Sequence, residues 1–421
     1  MVLAYSKLRN LAKPVLSVMV LNLLMFGLSF AAQAAKPYEG VTLVVSRWAG
    51  DPFESATRTL ADQFEAETGC EIIIDAVPWE NLREKQIFEM ASGTGAYDIL
   101  YIHPFWYAEM VDAGFLLALD DYLTDEELAL YVPSLLDASR VDGKLYGISD
   151  WIATIILAYR TDLLAEAGLS APESWEDVIA IAERFTGDGH YGIALPAKRT
   201  GALADIFSTL LPGAGAWYLD ENGKPNINTP EAAATAAFIG EMIKYAPPGV
   251  LNFHWDEAGN AAMQGKVALM VAQSVNSSWL NDPARSITAG KWGFTSFKYQ
   301  GKPTGLVQDY SWSVASDTRH PEAAIAFIRW LSETEQQRYL AQKTGTAGAM
   351  YSFYEDEALV NSMPFLTAML EAFTNAMPQP SWSQWAQMQE TLELSLQNIY
   401  LGNEDPATAM EKLQTVMEEL F

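Results

Sequence analysis

Val41-Thr-Leu-Val-Val-Ser46 is followed by the polar, glycine-containing turn Trp48-Ala-Gly-Asp51 and then by a stretch from Pro52 to Thr68 that reads as a helix. Pro52 falls where a first helical turn tolerates proline. A second strand, Glu71 to Ala76, leads into a helix around Asn81 to Ala91, and Tyr97-Asp-Ile-Leu-Tyr-Ile102 reads as a third strand. Strand, helix, strand, helix, strand predicts an α/β fold with a mostly parallel sheet and helices on both faces. In such folds ligands gather beyond the carboxyl ends of the strands.

Upstream of this unit, Lys7, Arg9 and Lys13 precede the uncharged apolar run Val15 to Phe30, which ends in Ala32-Gln33-Ala34. That order is the pattern of a secretory signal peptide, residues 1–34, with an uncleaved anchor as the alternative. No later stretch is as apolar or as long, so a soluble mature chain is expected from about Ala35. The single cysteine, Cys70, lies outside the leader, where it can serve neither as a lipid-attachment site nor in an intramolecular disulfide. A periplasmic location fits best. Removing the three leader cations leaves 23 basic against 53 acidic residues, a charge near −30. Such a field repels nucleic acid and anionic membranes and tolerates neutral or cationic solutes; solubility alone also accounts for many of the acids.

The 387 residues after position 34 exceed what one core usually serves, so two lobes are expected. A second unit opens at Gly143-Lys-Leu-Tyr-Gly-Ile-Ser-Asp150 and runs through the apolar stretch Ile152 to Tyr159. Ser174 and Thr229-Pro-Glu-Ala are helix starts. Val267 to Val271 and Gly305 to Ala315 read as strands, Pro321 to Ser332 as an amphipathic helix, and Ala358 to Phe421 as helical throughout.

Chemistry-bearing motifs are sparse. His103, His190, His254 and His320 form no helical metal pair, and neither a P-loop nor a G-x-S-x-G elbow occurs, so no cofactor, metal or catalytic residue is expected. Tryptophan beside polar residues stands out instead: Trp48 with Asp51, His103 with Phe105 and Trp106, Asp150 with Trp151, Ser278 with Trp279, Asp309 with Tyr310 and Trp312, then Trp382 and Trp385. Most follow a predicted strand. Sugar rings pack their C–H faces on aromatic planes while their hydroxyls need convergent donors and acceptors, and this composition supplies both. The same pairs also suit buried tryptophans with acids that cap helices.

Phe64-Glu-Ala-Glu-Thr-Gly69, Tyr97-Asp-Ile-Leu, Ala113-Gly-Phe-Leu-Leu-Ala-Leu-Asp120, Gly143-Lys-Leu-Tyr-Gly, Tyr159-Arg-Thr-Asp-Leu-Leu164, Gly265-Lys-Val-Ala-Leu-Met270 and the Pro-Glu-Ala-Ala helix after His320 follow one another in a familiar order. In that order the chain resembles the extracellular solute-binding proteins of family 1, the sugar-binding subunits of ABC importers. The resemblance implies a two-lobed periplasmic-binding-protein fold of type II, with 35–141 plus 307–343 in lobe one and 142–306 plus 344–421 in lobe two. It implies crossovers near 142–150, near 303–308 and after 343. It implies a monomer that captures a sugar, oligosaccharide or polyol and has ABC permease subunits as partners. Carried over by position, the ligand contacts would be Trp48, Asp51, His103, Phe105, Trp106, Asp150, Trp151, Trp279 and Trp382 or Trp385. The segment Gln308-Asp309-Tyr310-Ser311-Trp312 departs from the family pattern by adding an acid. A cationic osmolyte or amine ligand, a sensory role and a secreted glycan hydrolase remain as alternatives.

Overall fold

The computed structural model describes residues 36–50, 52–380, 382 and 384–420. The expected leader and Asp51 lie outside the described residues. Among the described residues, no helix is long and apolar enough to cross a membrane.

The opening pattern folds as read. β1 (Thr42–Trp48), β2 (Glu71–Val77) and β3 (Ile99–Ile102) are parallel, with β1 in the middle. The helix Phe53–Thr68 buries Ala56, Leu60, Ala61 and Phe64, which repeat at three- and four-residue steps, and so covers the sheet with one apolar stripe. Gly69 ends that helix in the left-handed region at φ 78°, where a side chain would be strained.

A short hairpin, β4 (Arg140–Val141) with β5 (Lys144–Leu145), leads to β6 (Ile148–Ala153) and β7 (Ile155–Arg160). The apolar run expected as one stretch is thus two strands parted at Thr154. β6 belongs to the first sheet and β7 to the second, so Thr154 is a crossover. The second sheet is completed by β8 (Tyr191–Ala194), β9 (Val267–Gln273) and β10 (Trp292–Thr295), in the order β10-β7-β9-β8. β11 (Phe297–Tyr299) turns into the 13-residue β12 (Lys302–Val314), which returns to the first sheet between β3 and β6. β13 (Ala376–Pro378) pairs with the start of β12 and interrupts the C-terminal region expected to be helical throughout.

The α/β expectation holds, but the sheets are mixed rather than mostly parallel. β12 runs antiparallel to β3 and β6, and in the second sheet only β8 and β9 are parallel. Strands that carry the chain between sheets come back in the opposite sense, so each crossover adds antiparallel pairs. Ser174 and Thr229 cap their helices as read, each side-chain oxygen accepting a backbone N–H 3.1 Å away, from Asp177 and Ala232.

Two large apolar cores result, one around the first sheet and one beside the second, with a smaller cluster on the second sheet's other side. The stretch from 344 differs from expectation. Ala347, Phe353, Leu359 and Phe365 are buried in the first core. Bridges from Ile152 to Ala347 and from Tyr131 to Met350 tie this stretch to residues of the first core, Ile152 among them although it falls in 142–306. Only later, from Trp385 through Met417, does the chain pack into the second core.

Candidate functional site

The carboxyl ends of β1 and β3, together with β6 and β12, carry a continuous run of aromatic rings. Trp48 closes β1, its ring folded back so that a Cβ on Gly50 would lie 2.5 Å from it. Phe53 lies 5.2 Å from Trp48 and 5.3 Å from Trp151. Trp151 stacks on Tyr310 with centroids 3.9 Å apart and planes 7° apart. Tyr310 meets the edge of His103 at 5.0 Å, and His103 meets Phe105 at 4.8 Å and Trp106 at 5.6 Å. Five expected contacts, Trp48, Trp151, Tyr310, His103 and Phe105, thus form one surface together with Phe53, and Trp106 continues it.

His103 is buried, and burial pushes its imidazole down to about 3, so the ring is neutral. Its Nδ1 accepts the Phe105 N–H at 3.2 Å, which puts the ring proton on Nε2 as a donor.

Phe105 packs against both large cores and so stands between the lobes. A cavity of about 820 Å³ opens there, with Phe105 and Trp106 on one wall and Trp382, Trp385 and Gln389 on the other. Its size lies in the range that encloses a small organic ligand. Trp382 is partly exposed; Trp385 is buried, edge-on to Tyr218 at 5.1 Å. Nε1 of Trp385, on the wall of this cavity, has no hydrogen-bond partner, and among other buried polar atoms the same holds for Nε1 of Trp48, in the aromatic run, and Oε1 of Gln379. Two donors and one acceptor left unpaired are costly inside a protein unless something else pairs with them.

Four expected contacts stand elsewhere. Asp150 is buried in an ion pair with Arg47 at 3.0 Å, and the Arg47 guanidinium lies 5.1 Å from the Trp312 ring and 5.2 Å from that of Tyr101. Burial raises the Asp150 carboxyl above its usual value, and Arg47 opposes that rise. Trp312 is almost wholly buried against Tyr101. Asp309 is enclosed, its Oδ2 accepting the Ser139 hydroxyl; burial pushes its carboxyl up to about 6. These three are packed among core residues: Asp309 lies on the opposite face of β12 from Tyr310, with Ser139, whereas Trp312 shares the face of Tyr310 but is buried against Tyr101 and Arg47.

Trp279 does border a second cavity, of about 670 Å³, that Phe53 lines from the first lobe. Its ring is already engaged, however: the Arg285 guanidinium lies 4.3 Å from the ring centroid, and a Cβ on Gly259 would be 3.6 Å from the ring. A ligand stacking there would compete with Arg285.

Asp205, which the sequence did not single out, stands beside the aromatic run. It lies in the first turn of the helix Ala202–Ala214, is partly exposed, and accepts amide hydrogens from Gln379 at 2.8 Å and from Gln308 at 3.0 Å. Gln308 stands two residues before Tyr310 on β12, which sets Asp205 beside the aromatic run. The one sequence signal was an acid in a helix's first turn, and that pattern occurs at most helix starts for electrostatic reasons alone. Among the described residues, no three His, Cys, Asp or Glu side chains gather as a metal-binding set.

Residues 50–338 match the bacterial extracellular solute-binding protein family. The chain belongs to that family. It is a family of binding proteins, and its members work with ABC transporters. The mannitol-binding protein of Pseudomonas aeruginosa is 29% identical over 309 residues, 70% of this chain and 71% of its own. An ABC-transporter solute-binding protein of Agrobacterium radiobacter, solved in complex with ribitol, superposes with a TM-score of 0.74 at 25% identity, covering 92% of this chain and all of that one. Maltose-bound MalE3 of T. maritima superposes at 0.76 with 22% identity, covering 91% of this chain and 100% of its own, which is a likeness of fold.

Proposed function

We propose that this family member captures an uncharged, hydroxyl-rich solute, a polyol or sugar, between its lobes and presents it to the permease of an ABC importer. The observation that carries the reading is an interlobe cavity walled by Phe105 and Trp106, which end the aromatic run, and by Trp385, whose indole N–H has no partner. Aromatic faces take C–H groups, and a hydroxyl both accepts from an indole and donates to an amide oxygen. The polyol part is supported by the mannitol-binding relative and by the likeness to the ribitol complex.

The contacts proposed are Trp48, Phe53, His103, Phe105, Trp106, Trp151, Tyr310, Trp382 and Trp385. Asp51 joins them only by its position in the first strand-helix loop. The lobes divide at Thr154, within β12 and after Phe373, and closure is a hinge motion about these three crossings. The leader at 1–34 is cleaved on export to the periplasm, and the mature protein is a monomer.

Calorimetry of the mature protein against ribitol, D-mannitol, maltose and trehalose, with glycine betaine and putrescine alongside, tests the reading. Binding of at least one polyol or sugar is expected. Binding of the amines alone would overturn it.

A further inference from the structure

Asp205 sharpens the ligand class of this cleft, an inference that rests on the reading of a hydroxyl-rich solute. Both carboxylate oxygens are held by amides, Oδ1 by Gln379 and Oδ2 by Gln308. Gln308 is itself fixed, because its Oε1 accepts from Gln273 Nε2 at 2.7 Å, so its amide nitrogen must face Asp205. Each carboxylate oxygen keeps a further acceptor site, and Gln379 Oε1 has no partner at all. Behind Asp205, Glu393 accepts the Gly201 N–H at 2.9 Å and adds a second acid. The cluster thus offers acceptors backed by negative charge, and the side-chain groups that bond Asp205 are neutral amides. Hydroxyl donors suit such a face; an anionic oxygen meets repulsion with no donor in return.

We propose that Asp205, positioned by Gln308 and Gln379, is the specificity-determining residue that admits neutral polyols or sugars and excludes their sugar-acid counterparts. Burial and, to a smaller extent, Glu393 push its carboxyl up to about 7, while the two amides pull the other way. The groups facing it are Gln308 from β12, Gln379 from beyond β13, Glu393 from the helix Trp385–Tyr400, and the phenols of Tyr218 and Tyr310, which burial holds neutral. His103 is silent near neutrality. Ligand hydroxyls favour the ionised carboxylate, so affinity rises with pH through about 7.

The test is calorimetry with three neutral–acid pairs, D-mannitol with D-mannonate, ribitol with D-ribonate and maltose with maltobionate, from pH 6 to 8. The wild type should bind one neutral member at least about tenfold more tightly than its acid, with affinity increasing with pH. Asp205→Asn should weaken the neutral solute roughly ten- to hundredfold, flatten the pH profile and narrow the neutral-to-acid gap. Gln379→Met should move the midpoint of the profile to higher pH, a shift that a merely structural role would not produce. Thermal melts of both variants check the fold. If an acid binds as tightly as its neutral partner, or the wild-type profile is flat, the inference falls while the cleft reading stands. If no neutral solute binds, both fall together.

Discussion

Residues 308–312 of β12 put two kinds of chemistry on one strand. Gln308 and Tyr310 adjoin the proposed cleft, where Tyr310 stacks on Trp151 and Gln308 holds Asp205. Asp309, on the strand's other face, is closed over by Ser139, and Trp312, two residues beyond Tyr310, is buried beside the Arg47–Asp150 pair. The same residue types therefore adjoin the proposed site at some positions and pack the core at others. A buried acid needs a partner or a proton, whereas a cleft acid is kept partly open so that a ligand can supply the partner.

The comparison breaks most visibly if the buried positions prove dispensable. Asp150→Ala leaves the Arg47 charge buried and unpaired, and should lower unfolding free energy by about 3–5 kcal/mol in urea titrations. The cleft side should respond in affinity instead. Trp151→Ala should cost about 1–3 kcal/mol of binding by calorimetry, with a smaller change in melting temperature, because it removes the ring stacked on Tyr310.

Asp309 gives a subtler contrast. Its raised carboxyl means that between about pH 4 and 6 the folded protein holds a proton that the unfolded chain has released. Stability contributed by this group therefore falls as pH rises through that window. Asp309→Asn should remove this part of the pH dependence of the melting temperature while leaving affinity near that of the wild type. The smallest effect is expected at Trp279, whose ring already carries the Arg285 guanidinium and packs near Gly259. Trp279→Ala should change affinity by less than about 0.7 kcal/mol, roughly threefold. A large loss there would move the stacking surface to the second cavity.

Much of the fold was legible because its signals are local. Ser174 and Thr229 cap the helices they were read to start, and the strand-helix alternation from Val41 to Ile102 reappears with boundaries shifted by two residues or fewer. β13 was missed because three residues, Ala376 to Pro378, carry no periodicity, and only pairing with β12 makes them a strand. The site was legible in part. The aromatic positions Trp48, His103, Phe105, Trp151 and Tyr310 do meet: the first three end or follow β1 and β3, and Trp151 and Tyr310 are paired across β6 and β12. Asp150, Asp309 and Trp312 were read with them because adjacency in sequence says neither which face of a strand a side chain takes nor how deeply it is packed. Asp205 escaped notice because its meaning comes from Gln308 and Gln379, more than a hundred residues away along the chain.

Element order and local capping were enough for an α/β chain, because helix starts and strand periodicity are written into neighbouring residues, and the solute-binding class came from the ordered motifs that resemble the family. Which tryptophans and acids face the cleft, where each lobe ends, and which carboxylate is left open were decided by tertiary packing. Those outcomes depend on strand register and on crossings that bring distant segments together, and neither leaves a mark in local sequence.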